Sequence, residues 1–515
     1  MHTSSSTHIA RSIRVLVWVF LSIIVLSYAG LIALGRWQLD EYSEFYRLRT
    51  HPLYLIERLT WSPRPISEPL YSAYGWSVNH FHQPLIIPFL GLLWGILLAA
   101  ALLTAWQKMS KAEDGAWASA LLGLTLVTLS LAGGDTTEVF YWPAGSVAYL
   151  PTLAATLLLF LQAIDGRLST PRGRIVGSVC LVIAAGSSEA GATFVLFYLF
   201  VQVVQYVRER LSKRAEPVPL LWLLAPFLFA SAVVITVRLN RFRQNELAAI
   251  SPNAGHLIRS TLAAFEEMVF EAIGRPMLAS AFHLYPNPHS WLHAGPGFVL
   301  QMIAGSHLWM EFLLFLAVAL LWAGGRRPER QTVRAILELL VPLLLAGLLT
   351  TAAANFHFGR TCCERHELLR EAWWNTTLAG LGIVSTAFMP NAARERLARF
   401  CAYAPVALLL SVMALGFLPP LVRSYRSFRS MRQATEGNYT SGFSTTTNRM
   451  VYVVPPSLGL IREEELPLGN FTRKPQATEF SIEDYPYFLM DFFEKQNILI
   501  ENLPRGEVAK PGAAE

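Results

Sequence analysis

Apolar runs about as long as a membrane crossing recur along this sequence as far as residue 422, and no other feature narrows the fold so much. A hydrocarbon core about 30 Å thick takes about 20 residues of α-helix and leaves no room for unpaired backbone, so each run is expected to be a helix. The runs fall at 12–34, 84–106, 116–133, 147–165, 218–239, 308–324, 334–354, 372–390 and 400–422. A further run, 175–207, is too long for one crossing and is interrupted by Gly186-Ser187-Ser188-Glu189-Ala190-Gly191. It splits into a short, partly re-entrant piece and a second helix. The expected fold is an all-α polytopic membrane bundle of about 11 transmembrane helices over 1–422, followed by a small mixed α/β domain over 423–515. That tail carries a strand-like stretch at 449–455 and a helical one at 484–493.

Composition enters here. A chain with 53% hydrophobic and 15% charged residues is too apolar for an ordinary soluble protein. Its net charge of +6 is not a nucleic-acid signature, because the Lys and Arg sit in short clusters between apolar runs. With the N-terminus cytoplasmic, the clusters at Arg11–Arg14, Lys108–Lys111, Arg167–Arg174, Arg208–Arg214, Arg326–Arg334 and Arg394–Arg399 all fall inside, as the positive-inside rule asks. Splitting 175–207 is what preserves this alternation. The first run resembles a signal peptide, but its length and its lack of an A-x-A exit make it an uncleaved span. The outer side then receives 35–83, 134–146, 240–306, 355–371 and the tail, against which the basic Arg423, Arg426, Arg429 and Arg432 stand as the topological objection. Cys180 and Cys401 lie in apolar runs and Cys362 and Cys363 are neighbours, with neither a CxxC pair nor a Cys/His zinc spacing, and the adjacent His366 and Glu367 face different ways on a helix, so no residue is assigned as a metal ligand.

The candidate residues lie in the outer intervals. Residues 35–83 open with Gly35-Arg36-Trp37-Gln38-Leu39-Asp40-Glu41-Tyr42. An acidic residue just beyond a membrane exit is level with a lipid phosphate, where it can take a proton from an acceptor hydroxyl or hold a divalent cation, the one cofactor left open. Asp40 is the preferred catalytic base and Glu41, which points elsewhere on a helix, the second candidate. A solvated helix end is the plain alternative. Arg64, held between Pro63 and Pro65, suits bidentate capture of phosphate, or is a turn arginine. Asp135 and Glu138 stand with Tyr141, Trp142 and Tyr149 in a stretch whose rings and carboxylates suit a sugar, although an interfacial aromatic belt has the same composition. Glu189 interrupts an apolar run at a cost of roughly 2.5–3.5 kcal/mol on insertion scales, so it faces a cavity or partner, or marks a tight turn. Arg259, Arg360 and Arg365 lie on the side the charge rule disfavours, which points to a phosphate; for the last two, pairing with Glu364 or Glu367 serves equally.

The order of Leu39-Asp40-Glu41-Tyr42, the Arg64 segment, Phe140 to Tyr149, Ser188-Glu189, Ser251 to Arg259 and Asp484 to Ile500 resembles that in a family of polytopic bacterial membrane proteins of unassigned function related to the GT-C glycosyltransferases. This chain has Ser251-Pro252-Asn253 where the family pattern has Pro-Gly-Asn. The resemblance implies a GT-C-like bundle of the bacterial inner (plasma) membrane, a catalytic acid in the first outer loop, matched by Asp40, and a polyprenyl-phosphate-linked sugar donor. The expected activity is transfer of that sugar to an extracytoplasmic glycan or lipid acceptor in cell-envelope polysaccharide synthesis. Nucleotide sugars are poor donors here, since they are cytoplasmic and no Gly-rich phosphate loop faces them. The rivals are a lipid-linked saccharide transporter or flippase, which also uses broken helices and buried acids, and a polysaccharide polymerase or ligase.

Overall fold

The computed structural model describes residues 3–37, 39–109, 114–132, 141–212, 220–239, 254–266, 308–323, 327–358, 364–400, 404–412, 418–454, 466–473 and 485–502. Helix α7 (Pro143–Ile164) is apolar on every face, and a helix of that kind belongs in an interior. It is buried almost from end to end and packs against α5 (Ile86–Met109), α8 (Pro171–Ser187), α13 (Arg330–Phe358) and α14 (Glu364–Phe388). Its Thr152 and Thr156 hydroxyls return hydrogen bonds to the carbonyls of Ala148 and Thr152, both at 3.1 Å, so these polar side chains enter the core satisfied. Around it stand α1 (Thr3–Ile32), α6 (Asp114–Ala132), α9 (Glu189–Ser212), α10 (Leu224–Leu239), α11 (Ala254–Glu266) and α12 (Leu308–Ala323).

Six helices among the described residues are long and apolar enough to cross a membrane: α1, α5, α7, α9, α13, and α10 together with the 3₁₀ turn that leads into it. Shorter apolar helices cover Ala118–Ser130 and Met310–Ala323. The chain is therefore a mostly helical bundle of multi-pass membrane character. Within the expected run 400–422 the described residues hold α16 (Ala404–Val412) and the start of α17 (Leu418–Phe443), residues 413–417 lie outside them, and α17 runs across the expected domain boundary at 422/423. Between α14 and α16 runs a short, polar α15 (Asn391–Phe400).

The interrupted run 175–207 does divide, and its local chemistry explains how. Ser188 is extended, its Oγ accepts from the Gly191 amide at 3.0 Å, and α9 starts at Glu189. A serine N-cap followed by an acidic first-turn residue suits the positive end of a helix. Glycine is required two residues on: a Cβ at Gly191 would lie 2.0 Å from the Ala184 carbonyl oxygen. Gly191→Val is expected to destabilise the bundle by about 1–3 kcal/mol or more through this overpacking, read as a lower aggregation temperature of the detergent-solubilised protein; unchanged thermal behaviour would refute the close approach.

The interval 35–83, expected as a loop, is a helical subdomain of α2 (Leu39–Thr50), α3 (Tyr54–Trp61) and α4 (Ser67–Phe81). The tail closes over it. Strands β1 (Arg449–Val454), β2 (Gly469–Thr472) and β3 (Asn497–Asn502) form a sheet in the order β1-β3-β2, with β1 parallel and β2 antiparallel to β3, and α18 (Tyr485–Phe493) precedes β3. The alternating burial of Met450, Tyr452 and Val454 gives β1 an inward face. Its outer edge is capped rather than left open: Asn438 of α17 exchanges two hydrogen bonds with the Val453 backbone (2.8 and 2.9 Å), and Ser441 Oγ accepts from the Val451 amide. Trp37 joins the two halves. Its indole meets the rings of Tyr42, Phe45, Tyr439, Phe443 and Phe492 edge-on at 5.2–6.0 Å, its amide donates to Tyr439 Oη at 2.9 Å and its Nε1 to Tyr74 Oη at 2.7 Å. Arg49 donates to the carbonyls of Asp491 and Phe492 at the C-terminal end of α18, where a cation is favoured. The basic start of the tail is also partly accounted for, since Arg432 bonds the Gly35 carbonyl at 2.7 Å and pairs with Glu436.

Candidate functional site

One end of the bundle gathers the start of α7, the α8–α9 break and the α2–α4 subdomain. The contacts are made by backbone and short hydroxyls, which fixes them closely. Ile66 N donates to the Gly186 carbonyl at 2.9 Å, and Ser67 Oγ donates to the carbonyls of Val147 and Ser187 at 2.7 and 2.9 Å. The starts of α4 and α7 thus meet the α8–α9 junction, where the positive ends of α4, α7 and α9 stand beside the carbonyl end of α8.

Carboxylates balance that field. Glu41 is fully buried; its Oε2 accepts from Trp142 Nε1 at 2.8 Å and its Oε1 from the Ala144 amide at 3.2 Å, in the first turn of α7. In this geometry Glu41 caps the start of α7 and holds the Trp142 indole by a buried hydrogen bond. Asp40 is the preceding residue of α2, so its backbone is pinned beside α7; its side chain lies outside the described residues.

A second layer lies in α2–α4. Arg58, 8% exposed, is paired with both Glu44 and Glu68 and lies 5.0 Å from the ring centroids of Trp61 and Tyr71. Ser62 Oγ donates to Glu68 Oε1 at 2.6 Å, and the Tyr54 hydroxyl donates to Glu44. Burial alone would depress the Arg58 pKa, but the carboxylates of Glu68 and Glu44 hold it well above the ordinary arginine value, so it stays cationic. Burial, helped by Glu44, raises the pKa of Tyr54 and keeps it a neutral donor.

The Arg64–Glu189 pair forms the accessible face of this network. Arg64 Nε lies 2.9 Å from Glu189 Oε2, with side chains 17% and 25% exposed, whereas Glu68, 4.0 Å from Arg64 Nη1, is 3% exposed. Burial opposes the Arg64 charge, and Glu189, followed by Tyr149 and Glu68, more than offsets it. Tyr149 itself is buried on α7. Glu189 is thus both a first-turn residue and the partner of Arg64, which unites the two sequence readings of it.

Sequence reasoning missed two charged neighbours, Arg370 and Glu311. Arg370 and Trp373 of α14 line, with Thr350, Thr351 and Ala190, a small void beside the first turn of α9. Glu311, in the first turn of α12, lies near Trp374, Glu371 and Arg370. Both residues sit where a helix begins beside an interval read as a loop, and a helix-face count from residue 364 would have aligned Arg370 with Trp373 and Trp374. Arg259 is exposed on α11, which packs on α13, and the structure does not bring it to Arg64. Asp135, Glu138 and Arg360 lie outside the described residues, and so does the side chain of Arg365 in the first turn of α14. Among the described residues no three His, Cys, Asp or Glu side chains converge as a metal site.

The other end of the bundle carries the basic helix ends. Arg334 pairs with Glu209 and Glu338, Arg327 donates to the Ala387 carbonyl at 2.9 Å, and Arg394 donates to the Ala323 carbonyl at 3.1 Å. These contacts bring the ends of α9, α12 and α14 beside the start of α13. Family models, curated proteins and solved structures offer no match to this chain.

Proposed function

We propose that this chain is a membrane glycosyltransferase that moves a sugar from a polyprenyl-phosphate-linked donor to an extracytoplasmic glycan or lipid, crossing the membrane eleven times with its N-terminus in the cytoplasm. The observation that carries the reading is the partly open Arg64–Glu189 pair, seated on a buried charge network at the end of the bundle away from the basic helix ends. A donor phosphate would displace Glu189 from Arg64 and take up the guanidinium's paired donors. Glu189, once displaced, accepts from sugar hydroxyls in this reading. Arg370, beside α9, supplies a second cation in this reading. Asp40 is assigned as the base that deprotonates the acceptor hydroxyl, on a backbone held in place by Glu41.

The test uses membranes containing the full chain, supplied with radiolabelled sugars on polyprenyl phosphate. Arg64→Gln is expected to weaken transfer about tenfold to a hundredfold, chiefly through KM, and Asp40→Asn to lower kcat by about a hundredfold with donor binding retained. Full transfer by the Asp40 variant would sink the base assignment. Translocation of the lipid-linked sugar by wild-type membranes that transfer nothing would overturn the enzyme reading in favour of a transporter.

A further inference from the structure

A large cavity lies at the opposite end from the candidate site. It is an open groove of about 820 Å³ between α9, α13 and the end of α14. Its walls are Phe200, Val204, Leu337, Val341 and Phe388, all exposed, while Arg327, Arg330 and Arg334 line it as well. The charges are not equivalent. Arg334 is taken up by Glu209, Glu338 and Gln205, and Glu338 also receives Gln202 at 2.9 Å. Arg327 spends its hydrogen bonds on a neutral carbonyl, and Arg330 is exposed in the first turn of α13. The nearby Arg394 has its pKa lowered by burial and by the Arg327 charge, so arginines crowd together at this corner.

We propose that this groove binds an anionic phospholipid, with the headgroup phosphate on Arg327 and Arg330 and one acyl chain along Phe200, Val204, Leu337 and Val341. Two observations select a lipid over a free anion. The apolar walls run from the arginines toward the middle of the helices, and residues 330 to 341 of α13 span about 16 Å at 1.5 Å per residue, close to half of a 30 Å hydrocarbon core. The polarity also runs the right way: the cations stand at the helix ends and the apolar residues deeper, on both α9 and α13. Basic pockets between transmembrane helices on the positively charged side are suited to acidic headgroups. The site requires only that these helices cross a membrane, not that the chain be a transferase.

Full-length protein, delipidated in a neutral detergent, would be titrated with phosphatidylglycerol, with phosphatidylcholine and with inorganic phosphate, followed by native mass spectrometry and by melting temperature. Phosphatidylglycerol is expected to stay bound and raise the melting temperature, phosphatidylcholine to bind at least tenfold more weakly, and phosphate alone to do nothing. The Arg327→Gln/Arg330→Gln double variant should lose about tenfold or more in phosphatidylglycerol affinity. Leu337→Trp, which obstructs the acyl path without changing charge, should lose a similar amount. Should the double variant fail to fold, Arg330→Gln alone, at an exposed position, serves and is expected to lose about threefold. Equal binding of the two lipids, stabilisation by phosphate alone, or undiminished binding in folded variants of both kinds would overturn the proposal. Transferase activity has no part in any of these readings, so failure here and failure of the proposed function are separable.

Discussion

Arg58→Met is expected to cost about 3–5 kcal/mol of stability and to lower the melting temperature of the solubilised protein more than any surface substitution. The reason lies in what remains. Met fills much of the volume and keeps the contacts with Trp61 and Tyr71, yet Glu44 and Glu68 are left facing each other in a site with little water. Removing one member of a buried ion pair is costly chiefly because the other charge is stranded, and here two are. Adding Glu68→Gln to Arg58→Met should therefore restore a substantial part of the loss, since the amide keeps an acceptor for Ser62 Oγ and carries no charge. A melting curve of Arg58→Met that overlays the wild type, or a double variant less stable than the single one, would show that the network does not hold the subdomain.

Glu41→Ala should cost about 2–5 kcal/mol, because it strands two donors, the Trp142 indole and the Ala144 amide, at about 1–3 kcal/mol each where no water replaces the lost oxygens. It also removes a negative charge from the positive end of α7. Glu41→Gln keeps one acceptor and should cost less than half as much. Asp40→Asn, by contrast, should leave the melting temperature unchanged while depressing transfer. This pair of outcomes separates adjacent acids by role. Equal thermal effects of Asp40→Asn and Glu41→Gln would deny the distinction, and so would a fully stable Glu41→Ala.

Much of the scaffold was legible before any coordinates. Helix α7 and the break before Glu189 follow from apolar run length and from the polar, glycine-flanked interruption at 186–191, both local properties. The strand at 449–454 and the helix at 485–493 are likewise written in short alternating or aromatic stretches. The interval 35–83 was harder. Its aromatic residues are spread over three short helices, and only their meeting with Tyr439, Phe443 and Phe492, some four hundred residues away, turns them into one core.

Sequence alone determined that the chain is a bundle of apolar helices and which of its residues are unusual there: Arg64, Glu189 and the acids at 40 and 41. Those judgements rest on the cost of placing charge or open backbone beside lipid, a cost each segment bears by itself. Tertiary structure decided the roles. Whether a carboxylate is a cap, a buried counter-ion or an accessible partner depends on which donor stands within 3 Å of it. Trp142 for Glu41, Arg58 for Glu68 and Arg64 for Glu189 come from different elements or the connections between them, brought together only when the chain packs.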